Sequence, residues 1–193
     1  MVAEDYALVL DFLPQGKGIK REPQAQLIGT SFFTLLEAKP KGNLDVLEKV
    51  YIGKEKREKI ELIRKRILFK DLSSNANSEL NEAINRIIDE NHSRFVDFFN
   101  NARSISIRLH QIDLLPGIGK KHLEDFIAER EKGEFKSFED INKRVKSMPN
   151  SKSIVIKRII QELEGEEKYY FFVRRPATQT FERNRFQRKP FRQ

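Results

Sequence analysis

The chain has 193 residues, a net charge of +8 and no cysteine. That length fits one large domain or two small ones, 38% hydrophobic residues suffice for folded cores, and the missing thiols exclude disulfides, thiol catalysis, iron–sulfur clusters and cysteine-ligated zinc. No apolar run approaches the ~18 residues of a membrane span, and the acidic start from Met1 to Asp5 does not read as a secretory signal, so the expectation is a cytoplasmic protein with a polyanionic partner.

In chain order, Tyr6–Leu13, Ala25–Ala38, Val46–Ile52 and Ile60–Phe69 read as strands, divided by the turn-rich clusters Pro14-Gln15-Gly16-Lys17-Gly18 and Lys39-Pro40-Lys41-Gly42-Asn43. Gly29, inside the long second run, predicts a bulge or sharp bend that lets one strand serve both sides of a small barrel. The last run reads equally as a helix, because Glu, Lys, Arg and Leu dominate it. Residues 1–72 are therefore expected to form a small OB-like β-barrel. On it Lys20, Arg21, Lys54 and Arg57 lie in or near loops, and Tyr51 and Phe32 are candidates to stack on bases, although a merely solvated face explains the cations as well. Strand alternation should turn one of Phe32 and Phe33 inward and leave the other for contact.

The polar breaker Ser73–Ser78 opens a connecting segment, 73–103, in which Leu80, Ile84, Ile87, Ile88, Phe95, Phe98 and Phe99 recur near helical spacing. Such a stripe is read as core, not as a stacking surface.

Residues 104–168 carry the most informative stretch, Leu114-Leu115-Pro116-Gly117-Ile118-Gly119-Lys120-Lys121. Two glycines around one aliphatic residue allow a tight turn, and the amides that open the next helix, with Lys120 and Lys121, favour an anion. The pattern looks like a helix-hairpin-helix motif. Gly133-Glu134-Phe135-Lys136-Ser137-Phe138-Glu139-Asp140-Ile141 matches the segment that often follows, with Ser137 as N-cap and Asp140 three positions on. Ser147–Lys152 then takes the place of a second hairpin without either glycine, followed by the apolar face Ile154, Ile156, Ile159, Ile160 and Leu163. Tyr169–Arg175 is short and β-prone, and is expected to return to the barrel as a strand.

The run 176–193 interleaves Phe181, Phe186 and Phe191 with basic residues and has almost no aliphatics, the composition of a disordered tail. From Arg174 onward seven bases, among them Arg174, Arg175, Arg183, Arg185, Arg188 and Arg192, face one acid, Glu182. Charge with spaced aromatics suits contact with exposed RNA bases.

His92, His110 and His122 are too scattered to suggest a metal site, no Gly-Lys-Ser/Thr phosphate loop occurs, and no carboxylates are placed as a glycosylase would need them. The expectation is no enzyme, no metal and no cofactor.

Val9-Leu10-Asp11-Phe12-Leu13-Pro14, Gln26-Leu27-Ile28-Gly29, Tyr51-Ile52-Gly53-Lys54, Arg94-Phe95-Val96-Asp97-Phe98-Phe99-Asn100 and Leu109-His110 through Lys121 carry a wider resemblance. Over roughly residues 6–173 the chain resembles an uncharacterised archaeal family that joins an OB-like N-terminal domain to a helix-hairpin-helix domain and is described as RNA- or nucleotide-binding. The resemblance implies an α+β protein of two domains. It also implies a ribosome- or translation-related role, because such genes often neighbour those for translation and ribosomal RNA modification. The combined expectation is a non-enzymatic nucleic-acid-binding protein that prefers RNA, with ribosomal RNA or ribosomal particles as partners. The alternatives are a DNA-binding repair or recombination accessory and a protein-docking scaffold; oligomeric state stays open.

Overall fold

The computed structural model describes residues 4–16 and 21–175. Lys20, Arg183, Arg185, Arg188 and Arg192, named above as contact candidates, and the tail 176–193 lie outside the described residues. The architecture is α+β: a curled five-stranded antiparallel sheet with five helices. Contacts divide the chain into two compact units, one made of the residues up to Ala83 with those from Gln161, the other Ile84–Ile160.

The sheet is built from β1 (Tyr6–Leu13), β2 (Gln24–Gly29), β3 (Leu35–Pro40), β4 (Lys49–Tyr51) and β5 (Ile60–Arg66), in the order β4-β1-β2-β3-β5. Side chains at alternate positions, Ala7 and Val9, Ala25 and Leu27, Leu36 and Ala38, join Val50, Ile52 and Ile60 in one core. Register shifts between Val9 and Asp11 in the β1–β2 pair, and twice in the β3–β5 pair, strengthen the local twist that curls the sheet. Asp11 and Gln26 are buried polar residues with defined partners. The Ser73 hydroxyl donates to Asp11 Oδ2 at 2.5 Å, the Ser73 amide donates to Gln26 Oε1 at 2.8 Å, and Gln26 Nε2 donates to the Asp71 carbonyl at 3.0 Å. These bonds fix the entry to α1 (Ser74–Glu90), and the same Ser73 hydroxyl accepts the Ala76 amide as a cap.

The single strand expected over 25–38 is instead a hairpin of β2 and β3. Glu4 decides this. Its buried carboxylate accepts the amides of Ser31 (2.8 Å), Phe32 (3.0 Å) and Thr34 (3.1 Å), so these residues wrap an anion and cannot continue a ladder. Gly29 leaves the room, since a Cβ there would lie 2.1 Å from the Glu4 carboxyl carbon. Phe33 takes φ +52° within this turn with its side chain fully buried, while Phe32 stays half-buried. The inward–outward split therefore comes from a turn and not from strand alternation.

Three further expectations change. The strand foreseen over 46–52 is confined to Lys49–Tyr51, with Leu47 at φ +63° turning the chain just before it. Ile60–Arg66 is a strand, followed by a 3₁₀ turn at Phe69–Asp71. Residues 169–175 form no strand. The amides of Phe171, Phe172 and Val173 donate to the fully buried Glu162 carboxylate at 2.8 to 2.9 Å, which bends the segment around one side chain and spends its donors there. A backbone bond from the Arg174 amide to the Phe32 carbonyl at 3.1 Å ties it to the β2–β3 turn.

In the second unit, α2 (His92–Asn101), a short hairpin of β6 (Ser104–Ser106) and β7 (Leu109–His110), α3 (Lys120–Glu131), α4 (Phe138–Arg144) and most of α5 (Ser151–Glu164) follow in order. Phe99 meets Phe126 at 6.0 Å and Phe138 at 6.3 Å between ring centroids, and Phe126 meets Phe135 at 5.4 Å. The aromatic stripe is thus core, apart from the half-buried Phe98. Asn100 exchanges two bonds with the Phe135 backbone, at 2.8 and 2.9 Å, satisfying the polar groups beside these rings.

Candidate functional site

The turn from Pro116 to Lys121 connects a 3₁₀ turn at Gln111–Leu114 to α3. Its first half is held firmly. The Ile118 amide donates to the Leu115 carbonyl at 3.2 Å, and the 98%-buried Arg158 of α5 donates to the Leu114 carbonyl at 2.9 Å. Gly117 has φ +80°, a conformation that disfavours any side chain, and a Cβ there would meet Pro149 Cγ at 3.6 Å. Gly119 is different: φ is −113°, and a Cβ would meet nothing within 4 Å. Glycine at this position leaves open space in front of the helix start.

One amide of the turn is already engaged. The Gly119 amide donates to Nδ1 of His122 at 3.1 Å, so His122 is no ordinary helix residue; it serves as an internal acceptor at the mouth of the turn. By position, the amides of Lys120 and Lys121 have no acceptor within α3, and Gly119 has no side chain to cap them. Both lysine side chains are exposed, whereas Pro116 and Ile118 are half-buried. The positive helix end, two uncapped amides and two exposed lysines thus all belong to the helix start beside the open space at Gly119.

The second turn, 145–151, is an internal control. It repeats the first bond, from the Met148 amide to the Val145 carbonyl at 3.1 Å. Two of the first three α5 amides, however, are satisfied from within. The Asn150 side chain accepts the Ser153 amide at 3.0 Å, and the Asn142 side chain accepts the Ser151 amide at 2.8 Å. One helix start has a side-chain cap; the other has none.

Between the turns, Ser137 caps α4 by accepting the Asp140 amide at 3.2 Å, and its hydroxyl, with the helix start, holds the Glu139 carboxyl below the usual range. The Asp140 carboxylate accepts from Lys136, not from the cap residue. Arg144 donates to the carbonyls of Gly133 (2.9 Å), Glu134 (3.2 Å) and Glu129, lies 4.4 Å from the Phe135 ring centroid, and so fixes the exit of α3. His110 caps the 3₁₀ turn through Nδ1, which accepts the Ile112 amide at 3.1 Å; burial, with nearby Arg130, pushes its pKa below that of a free imidazole. Sequence reasoning missed Glu4, Glu162, His110 and His122. Each acts through a backbone contact that no residue-type pattern announces.

The sheet-unit candidates are dispersed. Arg21 and Lys54 are exposed, and Arg57 is half-buried with Nε donating to the Gly53 carbonyl at 2.9 Å. Tyr51 meets Tyr6 edge to face with centroids 5.4 Å apart, and its hydroxyl accepts the Glu55 amide. Phe32 carries the Arg174 guanidinium 5.1 Å from its centroid, and Arg175 lies 5.0 Å from that of Tyr170. Among the described residues, no three His, Cys, Asp or Glu side chains cluster as metal ligands would, and no helix is long and apolar enough to cross a membrane.

The family model of DUF655, a family described as protein of unknown function, matches residues 3–174. The chain belongs to this family. The DUF655 chain is 43% identical over 176 residues to the uncharacterised protein MJ0038 of Methanocaldococcus jannaschii, which covers 89% of this chain and 80% of that one. The crystal structure of Af1531 from Archaeoglobus fulgidus, assigned to the same family, superposes with a TM-score of 0.83 at 43% identity, covering 89% of this chain and all of the other. The family match ends at Arg174, so the basic tail lies outside it.

Proposed function

We propose that this DUF655 chain is a non-enzymatic nucleic-acid-binding protein that prefers RNA and grips the phosphodiester backbone at the turn 116–121, read as a helix-hairpin-helix. One observation carries the reading: α3 starts without a side-chain cap and with open space at Gly119, whereas α5 is capped by Asn150 and has a further amide taken by Asn142. A phosphate oxygen is the group that would complete the first start, and Lys120 and Lys121 would balance its charge. In this reading the sheet unit is an OB-like module that lengthens the footprint through Arg21, Lys54 and Arg57, and the tail adds charge. Backbone contacts of this kind position a protein without reading sequence. The preference for RNA rests on the tail composition and the family resemblance, the ribosome-related role on the resemblance alone, and a cytoplasmic setting belongs to the same proposal.

The test is fluorescence anisotropy of the full chain with labelled single-stranded RNA, structured RNA and duplex DNA at several salt concentrations. Gly119→Glu, which the open space accommodates, places a carboxylate where phosphate would sit and is expected to weaken RNA binding about tenfold or more. Tighter binding to duplex DNA would move the assignment to a DNA accessory. RNA binding unchanged by the substitution would remove the hairpin from the contact.

A further inference from the structure

Two cavities adjoin on the sheet unit, with Lys65, Ile67 and Asp71 common to both linings. The first, of about 280 Å³, is walled mainly by apolar side chains, among them Leu35, Leu68, Phe69 and Val173. A cavity of ~150 Å³ already takes up a benzene ring, so this one has room for a large apolar side chain. Its basic residues Arg66, Arg174 and Arg175 face one acid, Asp71, whose carboxylate already accepts the Leu68 amide at 3.0 Å. Arg66 is exposed and has no partner among the described residues.

The second cavity, of about 400 Å³, is polar, and its lining includes two glutamines from one face of β2, Gln24 and Gln26. Gln26 is spent within the fold, where its side chain donates to the Asp71 carbonyl and accepts the Ser73 amide. Gln24 is only 5% exposed, yet its side chain has no hydrogen-bond partner among the described residues. Its amide is not sealed in; the exposed remainder opens onto the cavity. The charges beside it are already paired, Arg64 with Glu22 at 2.5 Å and Lys65 with Glu37 at 3.6 Å. A side-chain amide presents donor and acceptor together, and a peptide bond is the group that answers both.

Spacing and charge narrow the occupant. Gln24 lies on β2 and Arg66 on β5, two strand spacings away and so about 10 Å across the sheet. A ligand that reaches both spans about three extended residues or more, which excludes a single small anion. The chain's own tail and a second copy have the wrong sign: residues 176–193 hold five bases and one acid, and the whole chain carries +8. We propose that the two cavities form one groove for an extended acidic segment of a partner protein, with a large apolar side chain against Leu35 and Phe69, a backbone amide at Gln24 and a carboxylate on Arg66. The groove is separate from the turn 116–121 and does not depend on how that turn functions.

The experiment is a titration of the full ¹⁵N-labelled chain with synthetic octapeptides that carry Leu, Phe or Tyr between Glu and Asp residues, followed by backbone and side-chain amide shifts. Saturable shifts at Arg66, Ile67 and the Gln24 side-chain amide are expected with at least one of them. Arg66→Glu should weaken binding about tenfold, the equivalent of one lost charge-assisted bond, and so should Lys in place of the peptide's acids. Gln24→Met keeps the buried stem and removes an amide that bonds nothing in the fold, so it should melt no lower than the parent while binding peptide severalfold more weakly. Gln26→Met, which strips two internal bonds, should melt lower. A Gln24→Met chain that melts lower and binds normally would make Gln24 structural and overturn the proposal. Gly119→Glu should leave the peptide shifts unchanged, which separates failure of this groove from failure of the hairpin. Shifts confined to residues 176–193, as uptake by the basic tail alone would give, overturn the proposal. So do the absence of saturable shifts at millimolar peptide, and displacement of the peptide by single-stranded RNA.

Discussion

Glu4 and Glu162 do the same job at two places: each buried carboxylate gathers three backbone amides and thereby shapes a loop of the sheet unit. Glu4→Gln offers one acceptor and a clashing amide group to three donors, and is expected to cost about 2–3 kcal/mol, seen as a lower midpoint in denaturant unfolding. Gly29→Ala should produce a similar loss, because its methyl group would evict the same carboxylate. The two substitutions share one lesion, so the double variant should be clearly less destabilised than the sum of the singles. His110 provides a pH signature. Its folded pKa is depressed, so its contribution to stability is complete above the unfolded value of about 6.5 and is lost as pH falls from there toward the folded value. The thermal midpoint should therefore drop from pH 7 to pH 5 by more in the parent than in His110→Asn, whose side chain can still cap Ile112 without titrating. Equal slopes would show that His110 carries none of the effect.

At the scale of elements, two turns closed by the same kind of backbone bond, the first with Gly117 at φ +80° and the second with no positive φ, differ in who completes the helix start. Gly119→Asn would give α3 the cap that α5 already has, changing stability by only a few tenths of a kcal/mol in its favour while lowering RNA affinity severalfold. Opposite signs in unfolding and in anisotropy would tie the missing cap to ligand binding, and a parallel change would not. Much of this site was legible in the sequence. Gly117, Gly119, Lys120 and Lys121 are adjacent, so their spacing alone placed a turn before a helix with cations on it. His122 was not legible as an acceptor, because a histidine three residues into a helix is chemically silent until the turn angle brings Nδ1 to the Gly119 amide. Likewise Ala25–Ala38 carries β-prone residues throughout, and only the distant Glu4 breaks it into two strands.

For the whole molecule, the first and the last described segments both belong to the sheet unit: Glu4 supports the β2–β3 turn, and residues 171–173 close over Glu162. A chain ending at residue 165 would keep the buried Glu162 carboxylate without its three donors, and should melt several degrees below one ending at 175. Identical melting would mean that this segment adds no stability. Composition and local spacing by themselves determined what depends on neighbours along the chain: the absence of thiol chemistry, the strand-rich start, the helical apolar stripe ending in Phe99, the Ser137 cap and the glycine turn before α3. Tertiary structure alone decided what depends on groups far apart in sequence. Those are the Glu4 and Glu162 clamps, the return of Tyr169–Arg175 as a bent segment in place of a strand, the joining of residues after Gln161 to the sheet unit, and the adjoining cavities lined by Gln24, Arg66 and Arg175. The reason is physical. Periodicity records which face of an element is apolar, whereas a carboxylate's choice among backbone donors, or a buried amide without a partner, exists only once the chain has folded around it.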